Sequence, residues 1–226
     1  NVIIKNKVVN PKYNDSIVPY MDIDIKGSAI YKNRLMMLDI LANNNWKRPI
    51  YFSGGAFDDE DYLWLKNYLQ LDGMVYKLVP IKNVPSKDGG PMDMGQIDAD
   101  KMYDIVMKWD WGNSESEKIY HDPETRRNSI TYRTNLSRLM NELIAEGKID
   151  KAKNIINLAI TKMPLDKFGY YSLVEPFAGG YYKVGEKAKA HDLLEKLVNK
   201  YRENLDYYKT LSGSDQTDLA IDIITD

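Results

Sequence analysis

The sequence contains no cysteine and only two histidines, His121 and His191. The lack of cysteine excludes disulfides, thiolate-ligated zinc and a cysteine nucleophile. Two histidines also argue against a histidine-rich metal centre. We therefore expect neither a metal site nor a cofactor.

The sequence also lacks long hydrophobic runs and a strong net charge. No stretch reaches the roughly 18 apolar residues that suggest a membrane-spanning helix, so we predict that this chain does not cross a bilayer. The formal net charge of −2 gives no global attraction to anionic lipid or nucleic acid, and nucleic acid is not an expected partner. The chain begins at Asn1 without a basic and apolar leader, so we interpret it as part of a longer protein or as a processed chain.

Tyrosine is abundant, with 17 residues against 4 phenylalanines. Its ring packs while its hydroxyl stays hydrated, which suits sheet faces, helical-repeat interfaces and sugar-binding surfaces alike. The hydrophobic fraction, 43% of 226 residues, is enough for one large domain or two small ones.

Residues 1–128 are predicted to form a small α/β domain. A helix over residues 30–41 ends at three consecutive asparagines, because asparagine favours turns and tolerates left-handed backbone. A short buried strand is predicted at residues 49–52 and a second strand at residues 74–81, with an acid-rich helix start at residues 58–61 between them. This order of helix, strand, helix and strand favours a partly parallel sheet.

The remaining parts of this domain have weaker patterns. Residues 2–9 contain β-prone runs, and isoleucine alternates with aspartate around residues 23–25 as in a half-buried strand. Residues 83–97 are predicted as a loop and residues 98–107 as a helix. A polar connection over residues 112–129 then leads to the second domain.

Residues 129–226 are predicted to form a helical domain. Apolar residues at helical spacing indicate two helices joined at Gly147, which is expected to cap the first helix in a left-handed conformation. Asp150 is expected to cap the start of the second helix, and Pro164 to close it.

An internal repeat relates this hairpin to the sequence that follows. Gly147 and Gly185 lie 38 residues apart, and four apolar positions around them correspond. The pairs are Leu143 and Tyr181, Ala152 and Ala190, Ile156 and Leu194, and Ala159 and Leu197. The pattern is typical of a tetratricopeptide-like array; the alternative is an ordinary antiparallel hairpin with a glycine turn. Two hairpins bury little by themselves, and further helices are predicted near residues 205–211 and 220–224.

Several segments carry a family resemblance, and the most specific reads Asn-Asn-Asn-Trp-Lys-Arg-Pro-Ile-Tyr-Phe at residues 43–52. The others lie at residues 68–73, 76–81, 109–112, 122–125 and 147–152. In this order they resemble the C-terminal region of a bacterial membrane-protein family, the domain of unknown function 2723. Its members look like multi-pass proteins related to protein O-mannosyltransferases, with a soluble tail of tetratricopeptide-like repeats.

The resemblance covers roughly residues 30 to 200 and does not include a membrane catalytic part. It implies a periplasmic tail on an inner-membrane protein whose parent spans the membrane. The glycosyl-transfer residues of the family have no matching positions in this sequence, so the resemblance implies no reaction for this chain.

The best candidate for a binding site is the segment between the first helix and the first strand. Asn45 and Arg48 offer directed hydrogen bonds. Trp46 offers an indole for stacking on a sugar, and Tyr51 lies beside it in the sequence. The structural alternative, which the sequence favours, is a helix stop with Trp46 packed beneath it and Pro49 setting the strand entry.

A second candidate is formed by Trp109, Asp110 and Trp111, since aromatic rings around a carboxylate are typical of a sugar platform. Tryptophans two residues apart at a helix end point to different sides, so one of the two is predicted to lie in the core. His121 lies in a polar loop without an evident catalytic role, and His191 is predicted to be packed or exposed. We predict no catalytic residue.

Nucleotide and calcium binding are both disfavoured. Gly54 and Gly55 precede a predicted helix start, but the acidic residues 58–61 would repel phosphate, and no phosphate-binding glycine motif is present. The acidic run also lacks the oxygen spacing of a calcium-binding loop.

Two functions remain open, and a third is disfavoured. The first is a non-catalytic module of a membrane glycosyltransferase-like protein that binds a protein or peptide partner or presents a substrate. The alternative is a carbohydrate-binding module that holds a glycan and assists glycosyl transfer. An independent enzyme is disfavoured because carboxylates occur without a defined acid and base geometry.

Overall fold

The computed structural model describes residues 2–25, 29–53, 61–83 and 94–211, with the backbone alone at residues 61–63. Three predicted features lie wholly or largely outside the described residues. These are the acid-rich helix start with Gly54 and Gly55, most of the loop at residues 83–97, and the helix near residues 220–224.

The chain divides into two compact units, Asn1–Met107 and Lys108–Asp226. This division lies before the boundary near residue 128 that the sequence predicts. Residues that follow Met107 belong with the helices because they bond to them. The Ser114 hydroxyl donates to the Lys162 carbonyl at 2.6 Å, and the Lys162 ammonium pairs with Glu115.

The first unit contains a three-stranded sheet in the order β1-β3-β2, in which every pairing is antiparallel. The strands are Tyr51–Ser53 (β1), Leu69–Asp72 (β2) and Val75–Leu78 (β3). The partly parallel sheet expected from the sequence is therefore wrong. Gly73, with φ of +76°, closes a two-residue turn between β2 and β3, and so short a turn joins only antiparallel strands.

Burial in the sheet also differs from the expectation. β1, predicted as a buried strand, lies at an edge and leaves Tyr51 46% exposed. β2 is buried along its whole length, although its residues continue the apolar pattern of the preceding helix and were not predicted as a strand. The segment before it, Asp61–Tyr68, is a 3₁₀ helix rather than an α-helix.

Apart from the sheet, the described regular structure of the first unit consists of short helices and 3₁₀ turns. The short helix Val2–Lys5 (α1) replaces the β-prone run, and the residues around Ile23 form no strand. Another 3₁₀ turn covers Pro11–Ser16. Helix Lys32–Asn44 (α2) ends as predicted, because Asn45 takes the left-handed conformation at φ of 47°. Helix Ala99–Val106 (α3) is also confirmed.

Among its described residues, two apolar groups stabilise the first unit. α3 packs against β2 and buries Ala99, Met102 and Val106. The second group, here called the Val79 cluster, brings the amino-terminal segment onto the end of β3. It consists of Val8, Val9, Val79 and Ile81. Burying such side chains contributes about 1.5–3 kcal/mol each.

In the second unit, the regular structure of the described residues, which end at Leu211, is helical. Its helices are Pro123–Ala145 (α4), Ile149–Lys162 (α5), Leu165–Phe168 (α6), Glu175–Lys183 (α7) and Lys187–Thr210 (α8), with a 3₁₀ turn at Tyr171–Leu173. α4 begins earlier than predicted, inside the expected polar connection. Asp122 causes this, because its carboxylate accepts hydrogen bonds from the N–H groups of Glu124 (2.9 Å) and Thr125 (3.0 Å).

Two antiparallel hairpins, α4–α5 and α7–α8, form the bulk of this unit. Gly147 and Gly185 end α4 and α7 with φ of +72° and +84°, as the left-handed cap predicts. Asp150 lies within the first turn of α5 and is not its cap, since α5 already begins at Ile149. α8 continues to Thr210, so the separate helix expected near residues 205–211 is the end of α8.

Arg133 of α4 fixes the segment that leads from α5 to α7. Its guanidinium is buried and donates to the carbonyls of Met163 (2.9 Å), Tyr170 (3.3 Å) and Gly169. The Met163 carbonyl lies at the carboxyl end of α5, where it has no partner within the helix, and the other two carbonyls lie directly after α6. Burial lowers the pKa of Arg133 to about 10, so the group remains charged at neutral pH.

Candidate functional site

The predicted binding segment around Trp46 is a turn with left-handed backbone. Asn45 and Trp46 have φ of 47° and 56°. The Trp46 ring is half-buried against the Val79 cluster, and its carbonyl accepts a hydrogen bond from the Asn6 side chain at 2.8 Å. Arg48 is exposed, and its carbonyl accepts from the side-chain amide of Asn44 at 2.8 Å. The contacts of this turn are those of a packed helix stop.

Tyr51, the fourth residue predicted in that segment, neighbours a charged group on the sheet. Burial raises the pKa of Tyr51, with a smaller contribution from Asp72, while the positive charge of Lys101 opposes the shift. The Lys101 ammonium lies 2.5 Å from a carboxylate oxygen of Asp72. The Gln70 side-chain amide donates to the other oxygen of Asp72 at 2.7 Å.

A buried lysine lies next to this group. Lys77 of β3 donates from Nζ to the carbonyls of Lys7 (3.0 Å) and Val8 (2.6 Å). Burial, together with the nearby charge of Lys101, lowers the pKa of Lys77 to about 8. Both carbonyls belong to the amino-terminal segment, so this lysine ties that segment to the sheet. Its contacts are structural rather than those of an open reactive amine.

The second predicted site, at Trp109 and Trp111, is an aromatic cluster of the second unit. The two rings lie 5.7 Å apart, and the Tyr132 ring lies 5.4 Å from Trp109 and 5.6 Å from Trp111. The expectation that they point to different sides is wrong, because residues 109–111 are not helical. The Asp110 carboxylate accepts from the Gly112 N–H at 3.0 Å and closes the turn.

Both histidines are engaged in local packing. The His121 ring lies 4.4 Å from that of Phe168, and its Nε2 is 2.8 Å from the Ser114 carbonyl oxygen. His191 is exposed on α8, with Nε2 3.2 Å from the hydroxyl of Tyr182. The described residues contain no group of three or more His, Asp or Glu side chains placed to hold a metal ion.

A cleft in the first unit was not foreseen. It has a volume of about 400 Å³ and is lined by Asp22, Asp24, Trp64, Lys66, Tyr68 and Lys82, among others. We call it the Trp64 cleft. Its four charged residues are exposed, Trp64 is half-buried and Tyr68 is buried. The Tyr68 hydroxyl accepts from the Asp22 N–H at 3.0 Å and so fixes one rim of the cleft.

A second feature that was not foreseen is an apolar surface on α8. Leu194, Val198 and Leu205 are 37%, 44% and 53% exposed, and their spacing places them on one side of the helix. We call this surface the α8 stripe. The Leu194 equivalent in the first hairpin, Ile156, is completely buried.

The cover over Ile156 is α7. A side-chain carbon added at Gly180 would lie 3.1 Å from Cδ1 of Ile156, and the Tyr181 hydroxyl donates to the Asn157 side chain at 2.9 Å. In the first hairpin, therefore, α7 covers the outer surface of α5 and contacts it at Gly180. The equivalent surface of α8 in the second hairpin is exposed.

Residues 1–101 match the family model of TMEM260-associated domain 2. The match covers most of the first unit and relates the chain to TMEM260-like membrane proteins. Neither the curated proteins nor the solved structures contain a match. The resemblance to the domain-of-unknown-function 2723 family and the tetratricopeptide-like character of the hairpins stay predictions.

The helices of the described residues include none that is long and apolar enough to cross a membrane.

Proposed function

We propose that the chain is a non-catalytic, periplasmic domain of a membrane glycosyltransferase-like protein, and that its helical unit binds a helical segment of a protein or peptide partner. The relation to TMEM260-like proteins supports the membrane context. The α8 stripe supports the binding function.

The internal repeat supports a polypeptide partner. Ile156 and Leu194 occupy equivalent positions, and Ile160 and Val198 lie one helical turn farther along α5 and α8. In the first hairpin Ile156 is buried beneath α7, and Ile160 is half-buried. Because the surface of α5 takes a helix, the equivalent surface of α8 has the shape and chemistry to take one as well.

The same comparison indicates what the partner helix should look like. Gly180 lets α7 approach Ile156 closely. A partner helix seated on Leu194 is therefore expected to carry a glycine or alanine at the contact and apolar residues three and four positions away. Its polar side should face solvent.

Site-specific photo-crosslinking tests this function. A benzoylphenylalanine is placed at Val198, and separately at Asn199 as the matched position on another side of α8, in the protein in its native membrane. We expect Val198 to crosslink to one polypeptide segment, identified by mass spectrometry of the crosslinked peptide, and Asn199 to give little product.

Two variants sharpen the result. Leu194→Glu places a charge in the α8 stripe and should abolish the crosslink, because burying an unpaired carboxylate is costly. Asn199→Glu adds the same charge outside the stripe and should leave the crosslink intact. Equal crosslinking at both positions, or products containing only lipid, glycan or residues 212–226 of the same chain, would contradict the proposal.

Carbohydrate binding is the second candidate function, and the Trp64 cleft is the observation that favours it. The cleft belongs to the first unit, so the two functions are independent of each other.

A further inference from the structure

The Trp64 cleft combines charged groups of both signs around an aromatic floor. Asp22 and Asp24 line it together with Lys66 and Lys82. The charges of these four groups sum to zero, so the lining itself gives a singly charged ligand little net attraction. The Arg34 guanidinium is not among the lining residues and adds a positive charge beside the Trp64 ring. The same four groups supply strong acceptors and strong donors, which suits a neutral ligand with many hydroxyls.

One face of the Trp64 indole is already covered by another side chain of the protein. The guanidinium carbon of Arg34 lies 5.3 Å from the centre of the Trp64 ring and covers one face of the indole. A ligand in the cleft therefore meets at most the opposite face or the edge of Trp64. An indole face packs well against the C–H groups of a sugar ring, while the hydroxyls of the sugar point to polar side chains.

The rest of the floor is polar and held in place. Tyr68 is 1% exposed, and its hydroxyl already accepts from the Asp22 N–H, which leaves the hydroxyl proton to donate. Asn67 also lines the cleft, and its carbonyl accepts from the Asn83 N–H at 2.7 Å. The backbone beneath the ligand is thus fixed before binding, which lowers the entropy lost on association.

We infer that the Trp64 cleft binds a neutral saccharide. The volume of about 400 Å³ lies within the range of small-molecule sites, roughly 300–1,000 Å³, and accommodates a mono- or disaccharide. This assignment rests on the second candidate function and adds to it the site and the ligand class. Trp64 packs against the sugar ring, and Asp24 accepts hydrogen bonds from its hydroxyls.

The four tryptophans of the chain make a direct test possible. Neutral hexoses and N-acetylhexosamines are titrated into the 226-residue chain, with glucuronate and glucosamine as anionic and cationic counterparts. The indole N–H resonances are followed by NMR, and Trp64→Phe assigns the signal of the cleft. We expect neutral sugars to move the Trp64 signal saturably at millimolar concentration, and the charged sugars to bind more weakly.

Asp24→Asn tests the charge argument, with Asp104→Asn on the exposed side of α3 as the matched control. Asp24→Asn should weaken the neutral sugar about tenfold and shift the preference toward glucuronate, since it removes a charged acceptor and leaves the cleft net positive. Asp104→Asn should change neither affinity. Circular dichroism and thermal unfolding confirm that each variant is folded.

Each failure has a separate meaning. Tighter binding of a charged sugar at Trp64 would overturn the neutral class and leave carbohydrate binding intact. Sugar-dependent shifts at Trp109 or Trp111 alone would move the site to the second unit and overturn this assignment. If no saccharide moves any indole signal, carbohydrate binding itself fails.

Discussion

The two hairpins of the second unit share a turn and differ in what covers them. In the first, the Lys148 N–H donates to the Leu143 carbonyl at 2.8 Å around Gly147. In the second, the Glu186 N–H donates to the Tyr181 carbonyl at the same distance. This is the same six-residue bond of a left-handed helix cap in both places.

The difference lies on the outer side of the second helix of each pair. Ile156 of α5 is buried beneath α7, whereas its equivalent Leu194 is 37% exposed. The repeat in the sequence therefore determines the turn and the inner contacts of each hairpin. The burial of the outer side depends on the next element along the chain.

The largest expected effect separates these two equivalent residues. Ile156→Ala removes buried methyl groups and should lower the free energy of unfolding of the second unit by about 3 kcal/mol. Leu194→Ala should lower it by less than about 1 kcal/mol, since the side chain is partly solvated already. Urea unfolding followed by far-ultraviolet circular dichroism measures both. Equal losses would mean that Leu194 is buried in solution. The two hairpins would then not differ in the burial of their outer sides.

The next effect tests the close packing of α7 against α4 and α5 at Gly180. Gly180→Val should destabilise the unit by about 2 kcal/mol, because the new side chain would meet Met140 and Ile156. Gly179→Val is the matched control in the same helix, where an added carbon has nothing within 4 Å. The same unfolding assay applies. If the two variants behave alike, α7 does not pack closely against Met140 of α4 and Ile156 of α5 at Gly180.

The smallest effect concerns the shared turn. Gly147→Ala and Gly185→Ala should each cost about 1 kcal/mol, because alanine is strained at positive φ. An added carbon meets nothing within 4 Å at either glycine, so the backbone alone sets the cost. The two losses should therefore agree within about 0.5 kcal/mol. A large difference would show that the turns are not equivalent.

Local signals predicted much of this fold correctly. The end of α2 at asparagine and the left-handed glycines of both hairpins follow from single-residue conformational preferences, and the helix over α3 follows from the spacing of its apolar residues. The class, a small α/β domain followed by helices, is confirmed as well. The sheet was predicted less well, because β2 continues an apolar helical pattern and only its pairing with β3 makes it a strand.

The candidate sites were harder to predict for a geometric reason. The lining of the Trp64 cleft comes from three separate segments, which are brought together only by tertiary folding and contain Asp22 and Asp24, Trp64 and Lys66 to Tyr68, and Lys82. The α8 stripe was visible in principle, since Leu194, Val198 and Leu205 recur at four and seven residues. The spacing does not reveal which apolar side of a helix is covered. The turn at Trp46 was visible in the sequence from the asparagines before it. The contacts of Trp46 are those of a packed helix stop, which was the alternative to a binding site.

The most direct test of the central claim is carbene footprinting of the purified chain, read at equivalent residues of α5 and α8. The account predicts strong labelling of Leu194 and Val198 and weak labelling of Ile156 and Ile160, since only the α8 side is open. Weak labelling at all four residues would show that the α8 stripe is already covered within the chain, and would contradict the account.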